Sequence, residues 1–108
     1  IWANRNAPNE SRKEGVAQRE YHTDHAGCLL CDYLALEIKS EERLICANDS
    51  FYALVPFWSI WPFETMLISK RHTAGMDDFN DAERTGLADI LKRVTMSYDK
   101  LFQVSFPY

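Results

Sequence analysis

The 108-residue chain has no basic excess. Its 12 Lys and Arg stand against 16 Asp and Glu, a net charge of -4. Without a stripe of cations there is no counterion release to draw on, which argues against a nucleic-acid partner. No apolar run approaches the ~20 residues of a membrane span, so no membrane partner is expected either. With four glycines in all, the chain lacks a Gly-rich phosphate loop. It also has no G-x-S-x-G elbow and no carboxylate dyad. The three cysteines, Cys28, Cys31 and Cys46, are an odd count for a disulfide framework. Ile1-Trp2-Ala3-Asn4 carries neither a basic nor an apolar leader region. Reduced thiols and a cytoplasmic location are therefore expected. Both ends read as interior sequence, so the chain is expected to be a fragment of a longer protein.

What the chain does have is concentrated between Phe51 and His72, which holds two of the three tryptophans. Phe51–Val55 and Thr65–Ile68 are β-rich runs, and Pro56 and Pro62 bracket the connection between them. That connection, Phe57-Trp58-Ser59-Ile60-Trp61, is too apolar for a solvated turn and predicts a surface that something covers.

Around it the elements fall in order. Residues 1–4 read as a strand end. Pro8 and Asn9 can start a helix over Glu10–His22, where only Val16, Ala17 and Tyr21 are apolar, so the segment reads as a solvent-facing helix or a partly ordered crossing, weakened by about 1 kcal/mol at Gly15. A second helix, Cys28–Lys39, carries an apolar stripe of Leu30, Cys31, Leu34, Ala35 and Ile38. Arg43–Ala47 is a strand, and Asn48-Asp49 turns it into Phe51–Val55. Asn80 and Glu83 form a capping box ahead of Leu87, Ile90, Leu91, Val94, Tyr98 and Leu101, an amphipathic helix of about five turns. Phe102–Phe106 reads as a last strand. The order β-α-α-β-β-β-α-β predicts an α+β fold, an antiparallel sheet with the long helix packed on one face.

Few residues suggest chemistry by themselves. His22, His25, Cys28 and Cys31 have the form H-x2-H-x2-C-x2-C, the donor types of a tetrahedral zinc site. The spacing lacks the long loop that usually separates two ligand pairs, and the bland alternative is a packed Cys31 beside solvated histidines. No strand precedes Cys28 to support a redox pair. Lys70-Arg71-His72 offers positive charge to a phosphate, or simply a solvated strand edge that resists edge pairing.

Longer motifs carry a resemblance. Val55-Pro56-Phe57-Trp58, Trp61-Pro62-Phe63-Glu64-Thr65, Arg71-His72, Tyr98-Asp99-x-Leu101-Phe102 and Ser105-Phe106-Pro107-Tyr108 resemble the second half of the galactose-1-phosphate uridylyltransferase family. Ile1-Trp2-Ala3-Asn4 resembles the segment that follows that family's His-Pro-His motif. The similarity runs over the whole chain. It implies a histidine-triad-like fold duplicated in one polypeptide, with residues 1–14 ending the catalytic N-terminal half and residues 15–108 opening the C-terminal half. It implies ping-pong transfer of a uridylyl group between UDP-glucose and galactose 1-phosphate through a uridylyl-histidine, in galactose metabolism.

The nucleophilic histidine is expected just before Ile1, so none of His22, His25 or His72 takes that role. Trp2 lies beside the catalytic strand and reads as packing. The resemblance assigns Glu14 to a second metal site, iron or zinc, with histidines beyond Tyr108 as its other ligands. The zinc of the N-terminal half takes its ligands from before Ile1. A homodimer with shared active sites is also implied, and it would give the Phe57–Trp61 loop an apolar surface to meet. Two other readings stay open. One is a related histidine-triad enzyme such as a dinucleoside polyphosphate phosphorylase. The other is a non-enzymatic, zinc-stabilised interaction module on His22, His25, Cys28 and Cys31.

Overall fold

The computed structural model describes residues 8–105. The strand expected at residues 1–4, Trp2 and the Phe106-Pro107-Tyr108 motif lie outside them. The chain divides into two compact units, one running to Leu36 and one from Glu37 onward.

The first unit is helical. Helix α1 spans Asn9–His25 and buries no residue, as its polar composition requires. Pro8, at φ -53, supplies the preset backbone angle at the helix start, and its carbonyl accepts from Arg12 N at 3.1 Å. The helix stops at Ala26, whose left-handed backbone (φ 53) lets its N–H close on the His22 carbonyl. Helix α2 spans Leu29–Ser40. The Tyr21 hydroxyl of α1 donates to Asp32 Oδ2 of α2 at 2.9 Å. That bond raises the Tyr21 pKa, because it and the nearby carboxylate charge favour the neutral phenol.

The expected apolar stripe of α2 is only partly right. Leu34 is 6 % exposed as anticipated, yet Glu37 is the deeper residue at 1 %, while Ala35 and Ile38 face solvent. A period of 3.6 residues permits either phase. The ion pair decides it, since Arg43 Nε donates to Glu37 Oε1 at 2.8 Å and makes burial of that carboxylate tolerable.

The second unit is an antiparallel three-stranded sheet in the order β1-β2-β3, with one long helix. The strands are β1 Leu44–Ala47, β2 Phe51–Leu54 and β3 Met66–Ser69. A bulge between Leu44 and Cys46 puts Ile45 out of register and leaves it 44 % exposed. The predicted Asn48-Asp49 turn joins β1 to β2, and Asn48 Oδ1 accepts from both Ser50 N and Phe51 N. After β3, a short 3-10 turn at Met76–Asp78 leads to helix α3, Asp81–Phe102.

The capping box is present in both directions: Glu83 N donates to Asn80 Oδ1 at 2.8 Å, and Asn80 N to Glu83 Oε2 at 2.9 Å. Ile90 and Val94 of α3 pack on Phe51 and Ala53 of β2, and the Phe51 and Phe79 rings meet edge-to-face at 5.4 Å. Leu91 and Leu101, expected in the stripe, are 45 % and 61 % exposed and lie off this face. The strand expected from Phe102 is not formed at residues 102–105: α3 runs through Phe102 and ends at Gln103 in the left-handed region, φ 56. Strand propensity at Phe102 loses to the continuing hydrogen-bond ladder of a capped helix. The architecture is therefore α+β, as expected.

Candidate functional site

The basic strand end is built for structure. Arg71 Nε donates to Glu83 Oε1 at 2.6 Å and its Nη2 to Glu83 Oε2 at 2.8 Å, a two-pronged pair that uses the planar fork of the guanidinium. The same Nη2 donates to the Asp78 carbonyl. Glu83 is thus held from two sides, by Arg71 and by the α3 cap. Together these hydrogen bonds pull its pKa from 4.5 to about 2. Lys70 sits over the Tyr52 ring at 4.8 Å. The strand end after β3 therefore fastens α3 to the sheet, and Arg71 is committed to that task.

The aromatic turn between β2 and β3 is exposed as predicted. Phe57, Ile60 and Trp61 are 75 %, 84 % and 76 % exposed, whereas Pro56 beside them is fully buried. The turn has a definite shape. Glu64 Oε2 accepts from the Ile60 and Trp61 amides at 3.1 and 3.3 Å, which ties the tip to its own base. Phe63 has φ 63, a strained conformation for a bulky residue. Its ring meets Tyr98 and Phe102 edge-on at 6.4 and 4.9 Å, and the Tyr98 hydroxyl donates to its carbonyl. Those contacts hold the left-handed backbone. The outcome is a rigid apolar knob on a buried proline foot.

Glu14 lies exposed on α1, and among the described residues it joins no cluster of metal-capable side chains. One exposed carboxylate oxygen is a suitable donor for iron or zinc but cannot make a site by itself. His22 and His25 are exposed on the last turns of α1. The His25 ring stacks on Tyr21 with centroids 4.2 Å apart, and its Nδ1 contacts the Tyr21 carbonyl at 3.2 Å. Neither histidine groups with the two thiols, so the four-ligand arrangement of H-x2-H-x2-C-x2-C is not assembled. Cys28 and Cys31 are brought together, with sulfurs within 4.8 Å. Burial, and then the hydrogen bond its own thiol donates to Cys28, raise the Cys31 pKa.

Similarity to known proteins runs over nearly the whole chain. A family model described as galactose-1-phosphate uridyl transferase, C-terminal domain, matches residues 14–108. The chain belongs to this family. A galactose-1-phosphate uridylyltransferase of Kluyveromyces lactis is 45 % identical over 107 residues, covering 99 % of this chain and 29 % of the relative. That of Haemophilus influenzae is 44 % identical over 108 residues, covering 100 % and 31 %. A solved uridylyltransferase structure superposes with a TM-score of 0.86 at 30 % identity, over 94 % of this chain and 32 % of that one. The chain thus spans about three-tenths of the length of the uridylyltransferases it matches.

Several residues that shape this part of the family fold are invisible to motif reading. Asn48 reads as a turn former, yet its Nδ2 also donates to the Gly86 carbonyl at 2.7 Å and to Asp89 Oδ2 at 3.0 Å, locking the hairpin to α3. Glu64 and Tyr98 sit inside the Trp61–Thr65 and Tyr98–Phe102 motifs, whose residue strings assign them no role. The Glu64 bonds, three and four residues back, are local enough to have been foreseen; the Tyr98 bond spans 35 residues and is not.

Proposed function

We propose that this chain is part of a hexose-1-phosphate uridylyltransferase that moves UMP between UDP-glucose and galactose 1-phosphate. What carries the reading is 45 % identity over 99 % of the chain to a protein of that name. A histidine nitrogen located before Ile1 attacks the α-phosphorus of UDP-glucose, forms an N–P bond and releases glucose 1-phosphate. A phosphate oxygen of galactose 1-phosphate then attacks the same phosphorus, frees the histidine and leaves as UDP-galactose. Covalent catalysis divides one displacement into two in-line steps.

In this reading residues 1–14 end the catalytic half and residues 15–108 open the C-terminal half; the match of the C-terminal family model from residue 14 supports that division. Glu14 contributes one carboxylate oxygen to an iron or zinc ion, completed by histidines beyond Tyr108. A single ion coordinated by these donors would tether α1 to a distant part of the chain, a structural task. The full-length enzyme works as a homodimer in the cytoplasm, and the apolar knob at Phe57–Trp61 is covered there. The chain's own contribution is mechanical: Arg71–Glu83, Asn48 and Tyr98 keep sheet, helix and knob in one fixed arrangement.

The test compares the complete reading frame with residues 1–108 in a uridylyl-exchange assay. Exchange by the complete protein and none by residues 1–108 is expected. Exchange by the 108-residue chain would refute the position of the nucleophile. Phosphorolysis of a dinucleoside polyphosphate without uridylyl exchange would assign the complete protein to the related phosphorylases.

A further inference from the structure

The two cysteines at the start of α2 stand apart from everything used above. Cys28 directly precedes α2 and Cys31 lies in its first turn. The Cys28 carbonyl accepts from Asp32 N at 3.0 Å, so the helical ladder already begins at Cys28. A spacing of three residues on one helical turn puts both side chains on the same face. Their sulfurs lie within 4.8 Å of each other, and both residues are half-buried and unoxidised. Two thiolates on one tetrahedral zinc, each at about 2.3 Å from the metal, stand about 3.8 Å apart. Sulfurs held within 4.8 Å are therefore already close to the separation that one zinc ion requires.

We infer that Cys28 and Cys31 form a bidentate site for a thiophilic divalent cation, Zn(II) being the fitting ion. Soft thiolates in pairs select zinc over magnesium or calcium. Binding converts two thiols and one aqueous ion into two metal–sulfur bonds and two released protons, so affinity falls as the solution is acidified. The neighbouring carboxylate is not a competing ligand, because Asp32 is engaged by the Tyr21 hydroxyl. The two remaining coordination positions are filled by water or by donors other than His22 and His25. The inference does not rest on the uridylyl-transfer reading and concerns a different ion from the one assigned to Glu14.

The purified chain, stripped with a chelator and reloaded with Co(II), tests this. Near-ultraviolet thiolate-to-cobalt charge-transfer bands at one equivalent are expected, displaced by Zn(II). Cys28→Ser and Cys31→Ser should each weaken Zn(II) binding at least tenfold in a chromophoric-chelator competition, while Cys46→Ser leaves it unchanged. A native Co(II) complex without thiolate bands would overturn the site by itself, whether or not the serine variants fold. Equal Zn(II) affinity in a folded Cys28→Ser, Cys31→Ser double variant would overturn it as well.

Discussion

Replacing Asn48 by Ala removes four hydrogen bonds at once and leaves two backbone amides without an acceptor. The Ser50 and Phe51 amides lose their acceptor, whereas the Gly86 carbonyl loses its side-chain donor but keeps its place in the α3 ladder. Both bonds are partly shielded from solvent, where an unmet polar group costs about 1 kcal/mol or more, so Asn48→Ala should lose about 2–3 kcal/mol. Against a typical stability of 5–15 kcal/mol that is a large fraction, and it corresponds to a fall in Tm on the order of 10 °C. Asn48→Asp separates the two halves of the role. It keeps the acceptor for Ser50 and Phe51 but turns a carboxylate toward the Gly86 carbonyl and Asp89. At neutral pH it should be less stable than Asn48→Ala, and it should recover as acid protonates the new group.

Asp89 reports the same contact. The Asn48 hydrogen bond, then the Arg93 and Lys92 charges, hold its carboxyl below the usual range, so in Asn48→Ala its pKa should climb. Guanidinium unfolding at fixed pH and an NMR titration of Asp89 give both readings. A loss under about 0.5 kcal/mol in Asn48→Ala, the range of an ordinary surface change, would refute the idea that this side chain fastens hairpin to helix.

Glu83 sets an acid limit. Its pKa is depressed from 4.5 to about 2, so its contribution is complete above 4.5 and is lost as pH falls through about 2. Unfolding midpoints measured down that window should drop, and drop less in Arg71→Met. Gly86→Ala, which in most helix interiors stabilises by about 1 kcal/mol, should here destabilise by about 1–3 kcal/mol. The new Cβ would stand 2.9 Å from the Ser50 Cβ; a higher Tm would contradict that packing. Glu64→Ala should speed amide exchange at Ile60 and Trp61 with little change in Tm, because the bonds lost are confined to an exposed turn.

Much of this molecule is written in short-range signals. The capping box of Asn80 and Glu83, the Asn48-Asp49 turn, the polar α1 and the exposed aromatic connection each depend on residues within about four positions, where propensity and hydrogen-bond geometry act directly. The family motifs are equally local strings of side chains. For that reason the α+β class and the family were both readable from the chain alone. Where competing signals overlapped, reading in one dimension failed. Phe102 has strand propensity but stands at the end of a helix already running, and the helix wins.

Tertiary structure decided which face of each element is buried and what the charged residues do. Glu37 displaces Ile38 from the inner face of α2 because Arg43, six residues on, neutralises it. Arg71 is taken from any phosphate by Glu83, twelve residues away. Asn48 reaches Gly86 and Asp89 across 38 and 41 residues. The Arg71 and Asn48 partners meet only after the sheet and α3 close on each other, so a short window of sequence does not show the pairing.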